Sequence, residues 1–230
     1  MKTSWKYAAP GMGLILFTCL MLGSCSSTRA IHSEPARQVS NIKSILILPF
    51  HDVSRLYESN INVRCYLCGQ VMTTGYVPDS AGPFLTSQLI SLMEKDQAYT
   101  FLSSDGSQDL LSGMMSGPDN EAAAYLNLYI DTGKRAGADA VLIGHIFRFE
   151  ERKGNRASVE SPASVSFDLH LIHVDSGRIV WTGHFDETQR PLSENLFELS
   201  RFIKRGASWI TAEELAQGGL EDILRSFLQP

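Results

Sequence analysis

No run in this sequence is apolar for long enough to cross a membrane as a helix. The longest, Gly11 to Leu22, is about a dozen residues, whereas a hydrocarbon core about 30 Å thick needs roughly 20. Clusters of Lys and Arg are absent as well. The 20 basic residues are outnumbered by 25 acidic ones, for a net charge of −5, which argues against nucleic acid as a partner. Three catalytic signatures are also missing: the phosphate-cradling Gly-x-x-x-x-Gly-Lys-Ser/Thr loop, the His-Glu-x-x-His helix and the Gly-x-Ser-x-Gly nucleophile elbow. Ser116 has Gly113 and Gly117 near it, but the Ser/Gly-rich stretch from Ser103 to Gly117 reads as a loop rather than a strained nucleophile turn. No repeat with a period of 20 to 50 residues is visible.

What is present at the start of the chain has the layout of an export signal. Lys2 and Lys6 precede the apolar stretch, which ends in the small residues Gly23 and Ser24. Leu22-Gly23-Ser24-Cys25 resembles the lipobox of bacterial lipoproteins, with an aliphatic residue three places before the cysteine and small residues beside it. The resemblance implies a signal peptide over residues 1–24, cleavage before Cys25, and a thioether-linked diacylglycerol with an amide-linked acyl chain on that cysteine. Each buried methylene contributes about 0.8 kcal/mol, so several acyl chains together make release negligible. Cys19 lacks small neighbours and is a poor competitor. Ser26 and Ser27 stand where an Asp would favour inner-membrane retention in enterobacteria, so the expected location is the outer membrane, facing the periplasm.

Removing 24 residues from 230 leaves 206, and the loss of Lys2 and Lys6 takes the net charge from −5 to −7. That length suits one domain with a proper core. Residues 25–41 carry the modified cysteine and a polar, non-aromatic stretch containing Pro35, which reads as a flexible tether. The domain then spans 42–230. Ile45 to Leu48 is a short apolar run suited to a first and central strand covered on both faces. Helical spacing of Leu85, Leu89, Leu92 and Met93 predicts a helix from Pro83, and Tyr99 to Leu102 a second strand. A second helix is expected to begin near Pro118 to Glu121, with acidic residues in its first turn, and to end at Lys134, Arg135 and Gly137. Ala140 to Ile143 follows as a buried strand.

The pattern then changes. Val165, Phe167, Leu169 and Leu171 alternate with Ser166, Asp168 and His170, and Ile179, Trp181 and Phe185 alternate with polar neighbours. An antiparallel hairpin around Asp175-Ser176-Gly177, with Val174 opposite Arg178 and Gly177 left-handed, sets Leu171 opposite Trp181 and Asp168 opposite His184. Thr211 with Glu214 three residues on signals a capping box for a last helix burying Ala216, Leu220, Ile223, Leu224 and Phe227. Gly218 and Gly219 cost it about 1 kcal/mol each against Ala, so a kink or a late start is expected. The fold class is α/β: a single domain with a mixed sheet of about five strands, strand-helix-strand-helix-strand and then the hairpin, with flanking helices and a C-terminal helix.

Ile45 to Phe50, Ala136 to Gly144, and the hairpin ending Val174-Asp175-Ser176-Gly177-Arg178-Ile179-Val180-Trp181 together resemble the α/β domain shared by the amino-terminal part of TolB, the curli secretion lipoprotein CsgG and the penicillin-binding-protein activator LpoB. The resemblance covers roughly residues 42–187. It implies a non-enzymatic protein that works through contacts with other envelope proteins in the periplasm, with oligomers among the possibilities. A secretion pore like CsgG needs two long lipid-facing strands per subunit, of about nine to eleven residues each. The segment from His51 to Gly82 is too short for that and contains Pro78.

This insert, 51–82, is far longer than the usual connection of about four to six residues, and it holds Cys65-Tyr66-Leu67-Cys68-Gly69. In an exported protein a disulfide between Cys65 and Cys68 is the first expectation. The alternatives are a zinc knuckle, which needs about four ligands and so would draw on His51, Asp52 or a second chain, and a thioredoxin-type redox pair, which needs its first cysteine at a helix N-terminus. No histidine follows Cys68, so covalent haem is unsupported. Asp168, His170 and His184 fall on one face of the hairpin, where polar residues on a wet surface are the expectation over a metal site. The sequence assigns no catalytic residue, metal ligand or cofactor.

Overall fold

Aliphatic and β-branched runs flanked by turn residues build the sheet. The computed structural model describes residues 42–95, 98–103, 122–155, 159–189 and 209–228. In chain order the strands are β1 (Ser44–Ile47), β2 (His51–Asp52), β3 (Asn62–Arg64), β4 (Val71–Thr73), β5 (Thr100–Ser103), β6 (Ala140–Glu150), β7 (Lys153–Gly154), β8 (Val159–Ser161), β9 (Ser164–His173) and β10 (Arg178–Thr188). The helices are α1 (Ala81–Met93), α2 (Ala122–Ala136) and α3 (Ala212–Leu228). Cys25, the tether, Ser116 and the expected start of the second helix before Ala122 lie outside the described residues.

The main sheet runs β10-β9-β6-β1-β5, and β2 extends the β1 side of β6. β1 is parallel to both its neighbours, whereas β6, β9 and β10 are antiparallel. The first strand is therefore internal, but the centre belongs to β6. Eleven residues long and buried along ten of them, β6 can pair with β9 over its length while β1 and β2 share its other edge.

The hairpin keeps the expected pairs, Leu171 with Trp181 and Asp168 with His184, by a different route. Arg178 opposes His173 instead of Val174, and Ile179 opposes Ile172. An irregularity between Ile179 and Trp181 absorbs the extra residue and restores the parity that keeps Trp181 and Phe185 inside. Gly177 takes φ +64° at the turn.

One face of the sheet packs on α1 and α3. Ile45, Leu142, Phe167, Leu171, Trp181 and Phe185 meet Leu85, Leu89 and Met93 of α1 and Leu220, Ile223 and Phe227 of α3 in one core. The first helix begins at Ala81, two residues ahead of Pro83, because Ala81 is itself a core residue. The capping box at the start of α3 forms in full: Glu214 N–H donates to Thr211 Oγ1 at 3.1 Å, and Thr211 N–H donates to Glu214 Oε2 at 2.9 Å. The helix starts at Ala212 in spite of its glycines. Gly219 lies against the Phe185 ring, where a Cβ would come within 2.6 Å.

The opposite face is covered in two parts. α2 packs Tyr129 and Ile130 over Leu46, Val141, Ile143, Ile172 and Val174. It ends as expected, with Gly137 at φ +68° and the N–H groups of Gly137 and Ala138 reaching back to Lys134 and Gly133 carbonyls, a Schellman cap. The insert covers the rest, burying Val53, Val63, Cys65 and Met72 against Phe147. Among the described residues no helix is long and apolar enough to cross a membrane.

Candidate functional site

Beneath the insert the sheet turns polar. Register places His145 of β6, Asp168 of β9 and His184 of β10 in one row across three neighbouring strands, with His170 two residues along from Asp168. The expectation that Asp168, His170 and His184 face water is wrong. His145, Asp168 and His170 are fully buried and His184 nearly so, because the face away from the main core has its own cover. Burying a carboxylate costs several kcal/mol unless it is paired, so these groups must answer to one another.

They do. His145 Nδ1 lies 2.9 Å from Asp168 Oδ1, and Asp168 Oδ2 lies 3.0 Å from His170 Nε2. Asp168 Oδ2 is nonetheless without an aligned hydrogen bond among the described residues. On the far side of His145, Nε2 meets the Tyr66 hydroxyl at 2.7 Å, and Tyr66 meets the Tyr129 hydroxyl at 2.8 Å. A polar chain thus runs from α2 through the insert to the sheet. Burial would raise the Asp168 carboxyl, but the charges of His170 and His145 outweigh it and hold the group well below the usual carboxylate range. Burial would lower His170, and Asp168 raises it instead.

The insert supplies sulfur. β3 and β4 are antiparallel, and the chain between them turns tightly: Gly69 N–H donates to the Cys65 carbonyl, and Cys65 N–H to the Gln70 carbonyl, both at 2.8 Å. Gly69 sits at φ +77°, with a backbone only glycine takes without strain. This tip brings Cys65 Sγ to 3.5 Å from His170 Nε2 and Cys68 Sγ to 3.9 Å from His184 Nε2. Backbone N–H groups also serve the sulfurs, Cys68 N–H at Cys65 and Gln70 N–H at Cys68. The Cys65 thiol, donating toward Cys68, lowers the Cys68 thiol to about 4 against the opposing effect of burial, with His184 and His170 assisting. The same contact, followed by burial, pushes Cys65 up. Both residues are free cysteines here, Cys65 buried and Cys68 exposed.

Cys65, Cys68, Asp168 and His170 together present four ligand atoms, all within 4.8 Å of one another. Sequence reasoning named each of these residues but kept the cysteines and the hairpin residues apart, looking to His51 and Asp52 for the missing ligands. Asp52 instead accepts hydrogen bonds from Ser54 and Arg55. His51 is lowered to about 4 by burial and then by its neighbour His145. His145, Tyr66 and Tyr129 went unnoticed. A histidine in the otherwise apolar run Val141 to Phe147 was the available signal.

No family model matches the chain, and no curated protein matches it. Solved structures do. A PelC dodecamer from Paraburkholderia phytofirmans superposes with a TM-score of 0.52 at 10% identity, covering 88% of this chain and 100% of that one. The two chains share a fold. The LpoB C-terminal domain from Salmonella enterica also matches, at TM-score 0.38 and 14% identity over 66% of this chain and 87% of that one. A lipoprotein from Neisseria meningitidis gives 0.37 and 13% over 72% and 98%. At such identities the likeness to PelC speaks for the architecture alone, and the two lower scores carry no argument.

Proposed function

We propose that this chain is a lipid-anchored, non-catalytic envelope protein that works by protein–protein contact, with the insert as its contact face and copies of itself among its partners. One observation carries the reading. The large exposed apolar side chains among the described residues, Leu56, Tyr57, Ile61, Val71 and Tyr76, all belong to the insert. Such residues scattered singly need no explanation, whereas a concentration in one short segment marks an interaction surface. The lipobox-like sequence ending in Cys25 supports lipid anchoring, and Ser26 and Ser27 after it favour the outer membrane, facing the periplasm. The PelC structure, which shares this fold, is a dodecamer, and that supports self-association as the first form of contact to look for.

The test is the mass of the mature domain in solution by light scattering across a concentration series, alongside capture of envelope proteins from membranes. Association that weakens when Tyr57 and Tyr76 are both changed to Ser, with the circular dichroism unchanged, supports the reading. A monomer at every concentration, with capture indifferent to those changes, refutes it. For the anchor, Cys25→Ala abolishes lipid labelling and leaves unprocessed precursor or soluble protein, since only that thiol can take the diacylglycerol. An Ala variant that still carries lipid would sink the lipoprotein reading.

A further inference from the structure

We infer that Cys65, Cys68, Asp168 and His170 bind one zinc ion, a structural centre that pins the tip of the insert to the polar face of the sheet. The inference is independent of the protein-contact reading.

Geometry carries it. A tetrahedral zinc with Zn–S about 2.3 Å and Zn–N or Zn–O about 2.0–2.1 Å sets its ligand atoms roughly 3.3–3.8 Å apart. Cys65 Sγ and His170 Nε2 stand 3.5 Å apart, on such an edge. Asp168 Oδ2 and His170 Nε2 are at 3.0 Å, near the length of a tetrahedron edge, and that carboxylate oxygen has no aligned hydrogen bond among the described residues, which leaves it able to serve an ion. All four ligand atoms fall within 4.8 Å of one another, and modest closure completes the tetrahedron.

The surroundings are those of a ligand shell. Each sulfur receives a backbone N–H, which stabilises thiolate, and the turn closed by Gly69 sets both sulfurs toward the sheet. Asp168 has its other oxygen occupied by His145, and Tyr66 holds the far nitrogen of His145. That is the outer support which orients a ligating carboxylate. His184, 3.9 Å from Cys68 Sγ, lies beside the sulfur as a hydrogen-bond partner. Two thiolates with an imidazole and a carboxylate in a tetrahedral set select zinc over magnesium or calcium, which prefer all-oxygen shells. Four protein ligands leave no open position, so the centre is structural rather than catalytic. It also explains why a fully buried carboxylate and three buried histidines, His145, His170 and His184, sit where a hydrophobic core would otherwise close the fold.

The experiment uses the mature protein purified from envelope membranes without chelator. Elemental analysis is expected to give one zinc per chain. Cys65 and Cys68 should resist iodoacetamide until a chelator is added and then both react. Replacement by Co²⁺ should give the visible absorption of a tetrahedral, thiolate-bound ion. Cys68 is exposed, so Cys68→Ala tests the site with little risk to folding, and it should remove that spectrum. His145→Asn, which touches no metal, should weaken Co²⁺ binding by about 10- to 100-fold without changing the spectrum's shape. A metal-free protein with Cys65 bonded to Cys68, a reversibly reducible pair without zinc, or an unaltered Co²⁺ spectrum in Cys68→Ala would each overturn the inference.

Discussion

The chain leaves β1 at Ile47 and rejoins β6 at His51, and Phe50 in that break folds its ring onto Gly144 of β6. A Cβ built on Gly144 would stand 2.2–2.6 Å from three Phe50 ring carbons. Phe50 is buried and meets Phe167 edge-on, ring centres 5.9 Å apart, so it cannot swing aside freely. Gly144→Ala has two opposed effects. The smaller unfolded-state entropy of alanine stabilises a strand by about 0.5–1 kcal/mol, and forcing a methyl into a filled site costs about 1–3 kcal/mol. Overpacking wins, and a net loss of roughly 1–2 kcal/mol is expected, read as a shift in urea midpoint with unchanged m-value. Phe50→Ala alone should cost about 3–5 kcal/mol as a buried aromatic truncation. In that background the space is open, and Gly144→Ala becomes neutral or stabilising. The double-mutant cycle should therefore show coupling of about 1–3 kcal/mol. A neutral Gly144→Ala, or strict additivity with Phe50→Ala, would refute the reasoning that the Phe50 ring fills the space beside Gly144.

Arg148 ties the insert to the hairpin, donating to Ser164 Oγ at 2.6 Å and to the Thr73 carbonyl at 2.7 Å, and pairing with Asp186. Arg148→Met should cost about 2–4 kcal/mol, below the full penalty for a broken buried pair because Asp186 is partly exposed, and limited proteolysis should cut first within 51–82; unchanged protease resistance would contradict this. Thr211→Ala removes half of the α3 capping box and should lower stability by about 1 kcal/mol in urea titrations, with no loss if the cap is idle. His51, facing His145, Asp52 and Arg55, is held neutral down to about pH 4 from an ordinary value of 6.5. Because the unfolded chain takes up that proton first, stability should fall between those pH values, by on the order of 2–3 kcal/mol, and stay level in this respect below them. The parent and His51→Asn should differ in slope over that window, and parallel pH curves would show that the proton is not excluded.

Much of the architecture was legible because it rests on periodicity. The alternation of Val165 to Leu171 and the 3.6-residue spacing of Leu85, Leu89 and Met93 each point to one buried face, and the Thr211/Glu214 pair marks a helix start by local chemistry. The site was legible only in pieces. Cys65 and Cys68 stand out by spacing, and Asp168, His170 and His184 by parity. Nothing local says that a hairpin tip 100 residues upstream folds onto that parity face. Polar residues on a strand are read as wet, and here they are buried because α2 and the insert supply a second cover. His145 was hidden for the same reason: its partners are Asp168 across the sheet and Tyr66 in the insert, contacts that only the tertiary fold creates.

The central claim is that two cysteines of the insert and two residues of the sheet share one ion. X-ray absorption at the zinc edge on protein purified from the envelope tests it most directly. The account predicts a four-coordinate shell of two sulfurs at about 2.3 Å and two nitrogen or oxygen atoms at about 2.0–2.1 Å. Absence of zinc, or a shell without sulfur, would contradict it.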